Sequence, residues 1–140
     1  MKKPLKTDKQ WREELTQEQY RVMRQKGTEV PFSGELTFNK DSGDYTCAGC
    51  GAVLFNSESK YQSEIPSLVG WPSFAKPLEG SVEYNEDRSY GMVRTEVSCA
   101  TCGSHLGHVF DDSSSPSGQH YCLNSVCLGF IPENPSVKKS

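Results

Sequence analysis

The reactive side chains of this sequence concentrate in one short stretch, residues 107–125, which reads GHVFDDSSSPSGQHYCLNS. It contains a cysteine, Cys122, two histidines, His108 and His120, and an asparagine, Asn124. A cysteine attacks as its thiolate, and a nearby imidazole can favour that form at neutral pH. Residues 107–125 therefore predict a site in which Cys122 is the nucleophile and a histidine handles the proton.

Short apolar runs separated by turn residues indicate a mainly β fold. His108–Phe110 and Tyr121–Asn124 flank the Ser/Pro/Gly-rich middle of this stretch and are predicted to form a hairpin, with residues 127–131 continuing the last strand. Two further hairpins are predicted, and their arms are residues 36–38 with 44–46 and residues 82–84 with 90–94. Several short strands at nearly even spacing favour antiparallel sheets.

The N-terminal segment is predicted to be helical. Thr16 and Gln19 fit a capping box, Gly27 suits the end of that helix, and a shorter helix is expected over residues 8–15. A chain of 140 residues is long enough for one core. We expect a single domain over residues 1–140, with a helical segment at about 8–27, a β core at about 30–132 and a loose tail at 133–140.

Composition and charge narrow the functional classes. The net charge is -3, and lysines and arginines are scattered, which argues against a nucleic-acid partner. No segment approaches the ~20 apolar residues of a membrane span, and the basic start is not followed by the apolar run of a signal peptide. We expect a cytoplasmic protein without membrane contact. Its six cysteines should then be mostly reduced, which favours metal binding or catalysis over disulfides.

Two Cys-x-x-Cys-Gly motifs predict a metal site. In each, a two-residue spacer lets a tight turn aim both sulfurs at one ion, and the glycine allows a positive φ. The four predicted ligands are Cys47, Cys50, Cys99 and Cys102. Four thiolates fill a tetrahedral sphere, so we expect structural zinc. Iron could use the same ligands, and one pair could instead be a redox dithiol.

Five motifs occur in the order in which one enzyme family has them. They are the two Cys-x-x-Cys motifs and the segments GWPSF at 70–74, HLGHVFDD at 105–112 and YCLNS at 121–125. From about Leu15 to Pro132, the sequence resembles the methionine sulfoxide reductases of the B type. For the fold, the resemblance implies two antiparallel sheets that form an open barrel held by zinc.

The same resemblance implies an activity and roles for individual residues. The family reduces the R epimer of methionine sulfoxide in oxidised proteins or peptides, contains structural zinc and is usually recycled by thioredoxin or another thiol; we also expect a monomer. The implied catalytic residues are Cys122, His108, His105 and Asn124. Residues expected at the substrate are Trp71, Phe110 and His120, with Trp71 as an apolar wall for the S-methyl group. Trp71 could instead be an ordinary core tryptophan, and His105 a core histidine.

The two histidines of the HLGHVFDD segment need a bend in the chain. His108 is expected to act as the acid or proton relay, with His105 beside it. Residues three apart on a regular strand face opposite sides, so a bend near Gly107 is required for both to reach the site.

His120 departs from the family, in which an arginine usually stands two residues before the catalytic cysteine. Arginine keeps its charge, whereas histidine loses most of its charge above about pH 6.5. We therefore predict that activity falls more steeply with rising pH than in an H120R variant.

A second departure concerns recycling. Many members have a second cysteine in the loop before GWPSF, but residues 62–69 contain none. Cys127 is expected to be a small buried side chain, and on a continuous strand it would lie about 16 Å from Cys122, beyond the ~7 Å that a disulfide spans between Cα atoms. We therefore expect a cycle with one cysteine, in which an external thiol reduces a sulfenic acid.

Two other classes of protein remain as alternatives. A non-catalytic zinc ribbon would explain the four paired cysteines but not Cys122, Trp71 and the histidines. A rubredoxin-like electron carrier would bind iron, and a visible spectrum would identify it.

Overall fold

The computed structural model describes residues 7–25, 27–30, 32, 34–61, 70–88, 91, 93–113 and 115–132. Within these residues the chain forms two short α-helices followed by eight β-strands. The helices are α1 (Asp8–Glu14) and α2 (Gln17–Gln25). The strands are β1 (Gly43–Cys47), β2 (Val53–Asn56), β3 (Ser73–Phe74), β4 (Val82–Asp87), β5 (Arg94–Cys99), β6 (His105–Asp111), β7 (Gln119–Leu123) and β8 (Leu128–Pro132).

Each helix begins at a capping box. The predicted one is confirmed, because the Gln19 amide donates to Thr16 Oγ1 at 3.1 Å and the Thr16 amide donates to Gln19 Oε1 at 2.9 Å. Thr7 and Gln10 cap α1 in the same way. The predicted helical segment at 8–27 is therefore two helices, and the Gly27 amide closes the second by donating to the Arg21 carbonyl at 3.0 Å.

The strands form two antiparallel sheets. The smaller has the order β2-β1-β8 and the larger has the order β3-β7-β6-β5-β4. Aromatic rings fill the space between them: Phe74 of the larger sheet lies 4.5 Å from Phe55 and 4.9 Å from Tyr45 of the smaller, measured between ring centroids. This mainly β architecture of two unclosed sheets with N-terminal helices agrees with the predicted open barrel.

Two of the predicted hairpins are present. β6 pairs with β7, which confirms the hairpin that carries His108 and Cys122. β4 pairs with β5, but β4 continues to Asp87, beyond residue 84 where the first arm was predicted to end. The second arm is correspondingly later in the chain, at Arg94–Cys99.

The first predicted hairpin is wrong. Residues 35–38 form a turn, and β1 pairs instead with β2 and with β8. Tertiary contacts hold the turn: the Leu36 amide donates to Ser125 Oγ at 3.0 Å, and Lys60 Nζ donates to the Thr37 carbonyl at 2.8 Å.

The predicted continuation of β7 through residues 127–131 is also wrong. A 3-10 turn at Ser125–Cys127 ends that strand, and β8 then joins the smaller sheet beside β1. The chain after Cys122 therefore crosses from one sheet to the other. The predicted loose tail at 133–140 and the loop at 62–69 lie outside the described residues. In the part of the chain that the structure describes, no helix has the length and apolar character needed to span a membrane.

Candidate active site and metal centre

The four predicted metal ligands lie together. Their sulfur atoms are all within 4.8 Å of one another. The Sγ atoms of Cys47 and Cys102 are 3.7 Å apart, and those of Cys50 and Cys99 are 3.6 Å apart. A tetrahedral ion with metal–sulfur distances of about 2.3 Å separates its sulfur ligands by about 3.8 Å. The residues present thus fit a four-thiolate metal ion.

The two Cys-x-x-Cys turns repeat one backbone geometry. The Gly51 amide donates to the Cys47 carbonyl and the Gly103 amide donates to the Cys99 carbonyl, both at 2.8 Å. The two glycines have φ values of 82° and 81°, in the left-handed region that favours glycine. Cys47 ends β1 and Cys99 ends β5, so the ion would join the smaller sheet to the larger.

The candidate catalytic residues form a row across the larger sheet. Cys122 of β7 is directly opposite His108 of β6 on one side and Ser73 of β3 on the other. Glu96 of β5 extends the row beyond His108. Side chains of paired residues lie on the same face of a sheet. Since Tyr121 packs on Phe55 in the core, Cys122 and its row occupy the opposite face.

A β-bulge brings the second histidine to this face. The register of β6 against β5 shifts, so that Val97 is opposite Gly107 whereas Ser98 is opposite His105. Leu106 is the extra residue, and the rings of His105 and His108 lie edge to face with centroids 5.4 Å apart. This is the bend that the sequence predicted. Gly107 must lack a side chain, because a Cβ atom there would lie 2.0 Å from the Cys122 carbonyl oxygen.

Each histidine is held by a carboxylate that the sequence analysis did not identify. His108 Nε2 lies 2.7 Å from Asp87 Oδ2, and Arg94 binds the same oxygen at 3.3 Å. His105 Nδ1 lies 2.7 Å from Glu96 Oε2, and both side chains are buried. Burial lowers the pKa of His108, although the Asp87 hydrogen bond opposes that shift. His108 is therefore mostly neutral at pH 7, with Nε2–H donating to Asp87 as the tautomer that the carboxylate favours.

Cys122 is half-buried, and its surroundings favour the thiol over the thiolate. Burial, with a smaller contribution from the negative charge of Glu29, raises the pKa of Cys122 to about 12. The expectation that a nearby imidazole would ionise Cys122 at neutral pH is thus not supported, because neutral His108 offers no positive charge.

His120 lies on the same face as Cys122, but it is fully buried. Its Nδ1 is 3.2 Å from Asp112 Oδ2, and its ring packs edge to face on Tyr61, whose hydroxyl donates to the same Asp112 oxygen at 2.6 Å. Burial lowers the pKa of His120 more than the Asp112 hydrogen bond raises it. His120 is already mostly uncharged at pH 7, so the predicted steeper loss of activity at rising pH has no physical basis in this geometry.

Asn124 fixes the bulge. Its main-chain amide and its Nδ2 both donate to the Leu106 carbonyl at 3.0 Å. Its Oδ1 accepts the Glu29 amide at 3.0 Å, and its side chain is buried.

Cys127 is fully buried as well, and its Sγ lies 3.3 Å from the His105 carbonyl. The predicted separation of Cys127 from Cys122 assumed one continuous strand, and it does not hold because β7 ends at Leu123. The burial of Cys127 is a separate reason to regard it as a packed side chain.

The remaining predicted substrate residues lie around this row. Trp71 is half-buried, and its Nε1 donates to the Glu29 carbonyl at 3.0 Å. The adjoining Pro72 carbonyl accepts the Leu123 amide at 3.0 Å, which ties this segment to β7. Phe110 is half-buried and its ring lies 6.3 Å from that of His108.

Sequence reasoning missed three buried or half-buried acids: Asp87, Glu96 and Glu29. Asp87 and Glu96 are in strands where alternation would have placed them on one face, but nothing in their spacing marks them as partners of histidines. Glu29 acts on residues 95 to 97 positions later in the chain, and no local pattern reveals such a contact.

Comparisons with known proteins agree with this geometry. Residues 15–132 match the SelR domain model. The chain is 54% identical over 129 residues to the peptide methionine sulfoxide reductase MsrB of Leptospira interrogans, with 91% of this chain and 95% of that protein covered. It is 53% identical over 135 residues to the protein of the same name from Methanosarcina mazei, with 96% and 94% covered. It is 50% identical over 132 residues to the protein of the same name from Bradyrhizobium diazoefficiens, with 94% of this chain and 92% of that protein covered.

Nearly all of each chain is aligned in these three comparisons, and at least half of the aligned residues are identical. The matched region includes both Cys-x-x-Cys turns, the bulged strand β6 and the strand of Cys122. The chain therefore belongs to the SelR family, the B-type methionine sulfoxide reductases, which are oxidoreductases that act on a sulfur group.

Proposed function

We propose that this protein reduces the R epimer of methionine sulfoxide in oxidised proteins or peptides, with Cys122 as nucleophile. The observation that carries the proposal is the pairing of Cys122 with His108 across β7 and β6, with His108 held by Asp87 at 2.7 Å. This arrangement provides a thiol, a proton relay and a fixed relay orientation in one place.

The proton needed for the reaction is already present on the nucleophile. Cys122 Sγ bonds to the sulfoxide sulfur as the sulfur–oxygen bond breaks, and the oxygen leaves with the thiol proton as hydroxide. The hydroxide then bonds to Sγ as the sulfur–sulfur bond breaks, and methionine leaves with the electron pair of that bond. The products are methionine and a Cys122 sulfenic acid, so the step is balanced without an external proton. His108 relays the proton: its Nδ1 accepts from the thiol and returns the proton to the leaving oxygen.

The surrounding residues have supporting roles in this proposal. Trp71 and Phe110 provide apolar contact for the methyl group and the side-chain stem of the substrate. His105 packs against His108 and keeps its ring in place, and Asn124 holds the bulge on which both histidines depend. His120 does not supply charge; with Asp112 and Tyr61 it forms a buried support beside the nucleophile strand.

Recycling uses an external thiol. The sulfenic acid condenses with one reductant thiol to a mixed disulfide and water, and a second thiol then releases Cys122 and a disulfide. Thioredoxin supplies both thiols in one molecule, and the enzyme acts as a monomer in the cytoplasm, where thiols are kept reduced. Trapping after one turnover with a sulfenic-acid reagent should label Cys122; a Cys122–Cys127 disulfide would contradict the one-cysteine cycle.

The four-thiolate site holds zinc in this proposal. Zinc is the usual ion for tetrahedral sulfur sites of this spacing, and with four protein ligands it would leave no position for substrate. Its contribution is therefore structural. Metal analysis would identify the ion, and a colourless protein would exclude the rubredoxin-like alternative.

A stereospecific assay tests the function. Peptides that carry either the R or the S epimer would be incubated with the enzyme and dithiothreitol, or with thioredoxin and its reductase. We expect turnover of the R epimer with both reductants and little turnover of the S epimer. Equal turnover of both epimers, or none with either, would contradict the proposal.

A further inference from the structure

The main-chain amide, main-chain carbonyl and carboxylate of Glu29 all form hydrogen bonds with residues around the candidate active site. Its amide donates to Asn124 Oδ1 at 3.0 Å, and its carbonyl accepts Trp71 Nε1 at 3.0 Å. Its carboxylate accepts the amides of Ser125 at 2.8 Å and Val126 at 3.1 Å. We call these four contacts the Glu29 clamp. Only 1% of the residue is exposed, so the contacts are shielded from water.

A buried carboxylate needs such donors. Removing a carboxylate from water is costly unless hydrogen bonds replace those of water. Burial accordingly raises the pKa of Glu29, while the two backbone amides oppose the shift because they stabilise the ionised form. A neutral replacement with only one acceptor oxygen, such as glutamine, would satisfy one amide and turn an NH₂ group towards the other.

The clamp joins parts of the site that are distant in sequence. Trp71 lies before β3, whereas Asn124 and the 3-10 turn at Ser125–Cys127 follow the nucleophile strand. Asn124 in turn holds the Leu106 carbonyl, and therefore the bulge that brings both histidines to one face. A shift of Glu29 would move the substrate wall and the proton relay relative to Cys122.

We propose that Glu29 is a positioning residue for the reduction, which fixes Trp71, Asn124 and the chain after Cys122 in one arrangement. The proposal rests on the function proposed above. Displacement of reacting groups by about 1 Å can reduce a rate on the order of a hundredfold, so the clamp affects turnover without contacting substrate.

Gly34 gives a second way to disturb the clamp. A Cβ atom at this position would lie 2.2 Å from Ser125 Cβ and 2.9 Å from Glu29 Oε2. Contacts this short require one of the neighbours to move. A G34A variant would thus displace the clamp while leaving the charge of Glu29 unchanged.

The charge of Glu29 provides a readout that does not depend on turnover. It contributes to the raised pKa of Cys122. Among the described residues, the other titratable groups on this face include His108 opposite Cys122 and His120 two residues earlier, which Asp87 and Asp112 bind, and the pair of Glu96 and His105 beyond His108. E29Q replaces none of these side chains, so a lower apparent thiol pKa in that variant reports on the loss of the Glu29 contacts and charge.

The experiment compares E29Q and G34A with Tyr45→Phe in the zinc-loaded, full-length protein. Tyr45 is a suitable control because it is fully buried and its hydroxyl accepts Asn39 Nδ2 at 2.8 Å, in the smaller sheet. Folding is checked by zinc content and thermal unfolding. Kinetics with a methionine-R-sulfoxide peptide give kcat and KM, and mass spectrometry follows alkylation of Cys122 by iodoacetamide against pH.

We expect kcat/KM to fall by about 10-fold or more in E29Q and G34A, because a buried hydrogen-bond network is broken or displaced. Tyr45→Phe should stay within about twofold of the wild type, and alkylation of Cys122 in E29Q should begin at lower pH. If E29Q does not fold, the kcat/KM of G34A relative to that of Tyr45→Phe tests the proposal. A kcat/KM in the folded variants equal to that of Tyr45→Phe would overturn the proposal. A wild type without reductase activity would refute the proposed function instead, and an E29Q alkylation profile equal to that of the control would then refute the role of Glu29.

Discussion

The four-cysteine cluster and the Cys122 site both use cysteine sulfur, but they are built from different kinds of contact. In the cluster, two identical local turns each present two sulfurs, and the sulfurs lie 3.6 to 3.7 Å apart across the turns. At Cys122, a single sulfur faces groups from other strands, and burial raises its thiol pKa to about 12. The number of neighbouring sulfurs and their surroundings, rather than the residue type, distinguish the candidate metal ligands from the proposed nucleophile.

This comparison predicts opposite effects for the two kinds of cysteine. The largest effect is expected for C50S or for removal of the metal by a chelator. Cys50 is the most exposed ligand, so its replacement removes a metal bond with little loss of packing. Structural zinc contributes about 10 to 16 kcal/mol in small domains, which exceeds most domain stabilities of about 5 to 15 kcal/mol. We expect unfolding of much of the chain, measured by circular dichroism; an unchanged unfolding midpoint would show that the cluster is not structural.

The second prediction is the opposite of the first: replacing Cys122 should abolish activity and leave the fold intact. C122S should reduce activity by about a thousandfold or more, because the proposed nucleophile is lost, while metal content and unfolding temperature change little. Cys127→Ala is the matched cysteine control and should keep the dithiothreitol-dependent activity. Activity of C122S comparable to that of the control would remove Cys122 from the mechanism.

A smaller effect is expected when the histidine relay loses its carboxylate. D87N keeps the shape of the side chain but presents a neutral partner to His108 Nε2, so the orientation and tautomer of the ring are less well fixed. We expect kcat to fall by about 10- to 100-fold, because D87N removes only part of the rate enhancement that general acid–base catalysis provides. Glu86→Gln is the control, since that exposed neighbour pairs with Arg88 on the surface. Equal kcat values for the two variants would argue against the relay.

The smallest expected effect is on the pH dependence of the free energy of unfolding. Because the folded-state pKa of His120 is lowered, the unfolded chain binds its proton more readily, and the free energy of unfolding should fall as the pH drops below about 6.5. The same sign holds for His108. An H120Q variant should show a shallower loss between pH 7.5 and 5.5 in chemical denaturation. A slope as steep as that of the wild type would mean that His120 is protonated with little cost in the folded protein.

Local patterns predicted the parts of the structure that local geometry decides. The Cys-x-x-Cys turns and the capping box at Thr16 each depend on a few neighbouring residues, and the structure contains both. The β6–β7 hairpin is similar, because a turn-rich segment separates two apolar arms. The bend near Gly107 was predicted differently, from the need for both histidines to reach one site, and distant residues such as Asn124 hold it.

Long-range contacts account for what the sequence could not predict. The segment around Leu36 has the pattern of a strand, but Ser125 and Lys60 hold it as a turn. Burial, which no motif reveals, makes Cys122 a thiol and His120 a neutral side chain. Glu29 and Asp87 reach the site only through the packing of separate strands and loops.

The crossing of the chain from β7 to β8 has a consequence for protein synthesis. β8 pairs with β1 from Gly43–Pro132 to Cys47–Leu128, so these partners can join only after the chain has been synthesised as far as β8. Until then, the turn after Cys122 lacks its anchor in the smaller sheet, and the burial that raises the thiol pKa of Cys122 is expected to be incomplete. Newly made chains are therefore expected to be most vulnerable to oxidants at Cys122 just before β8 docks.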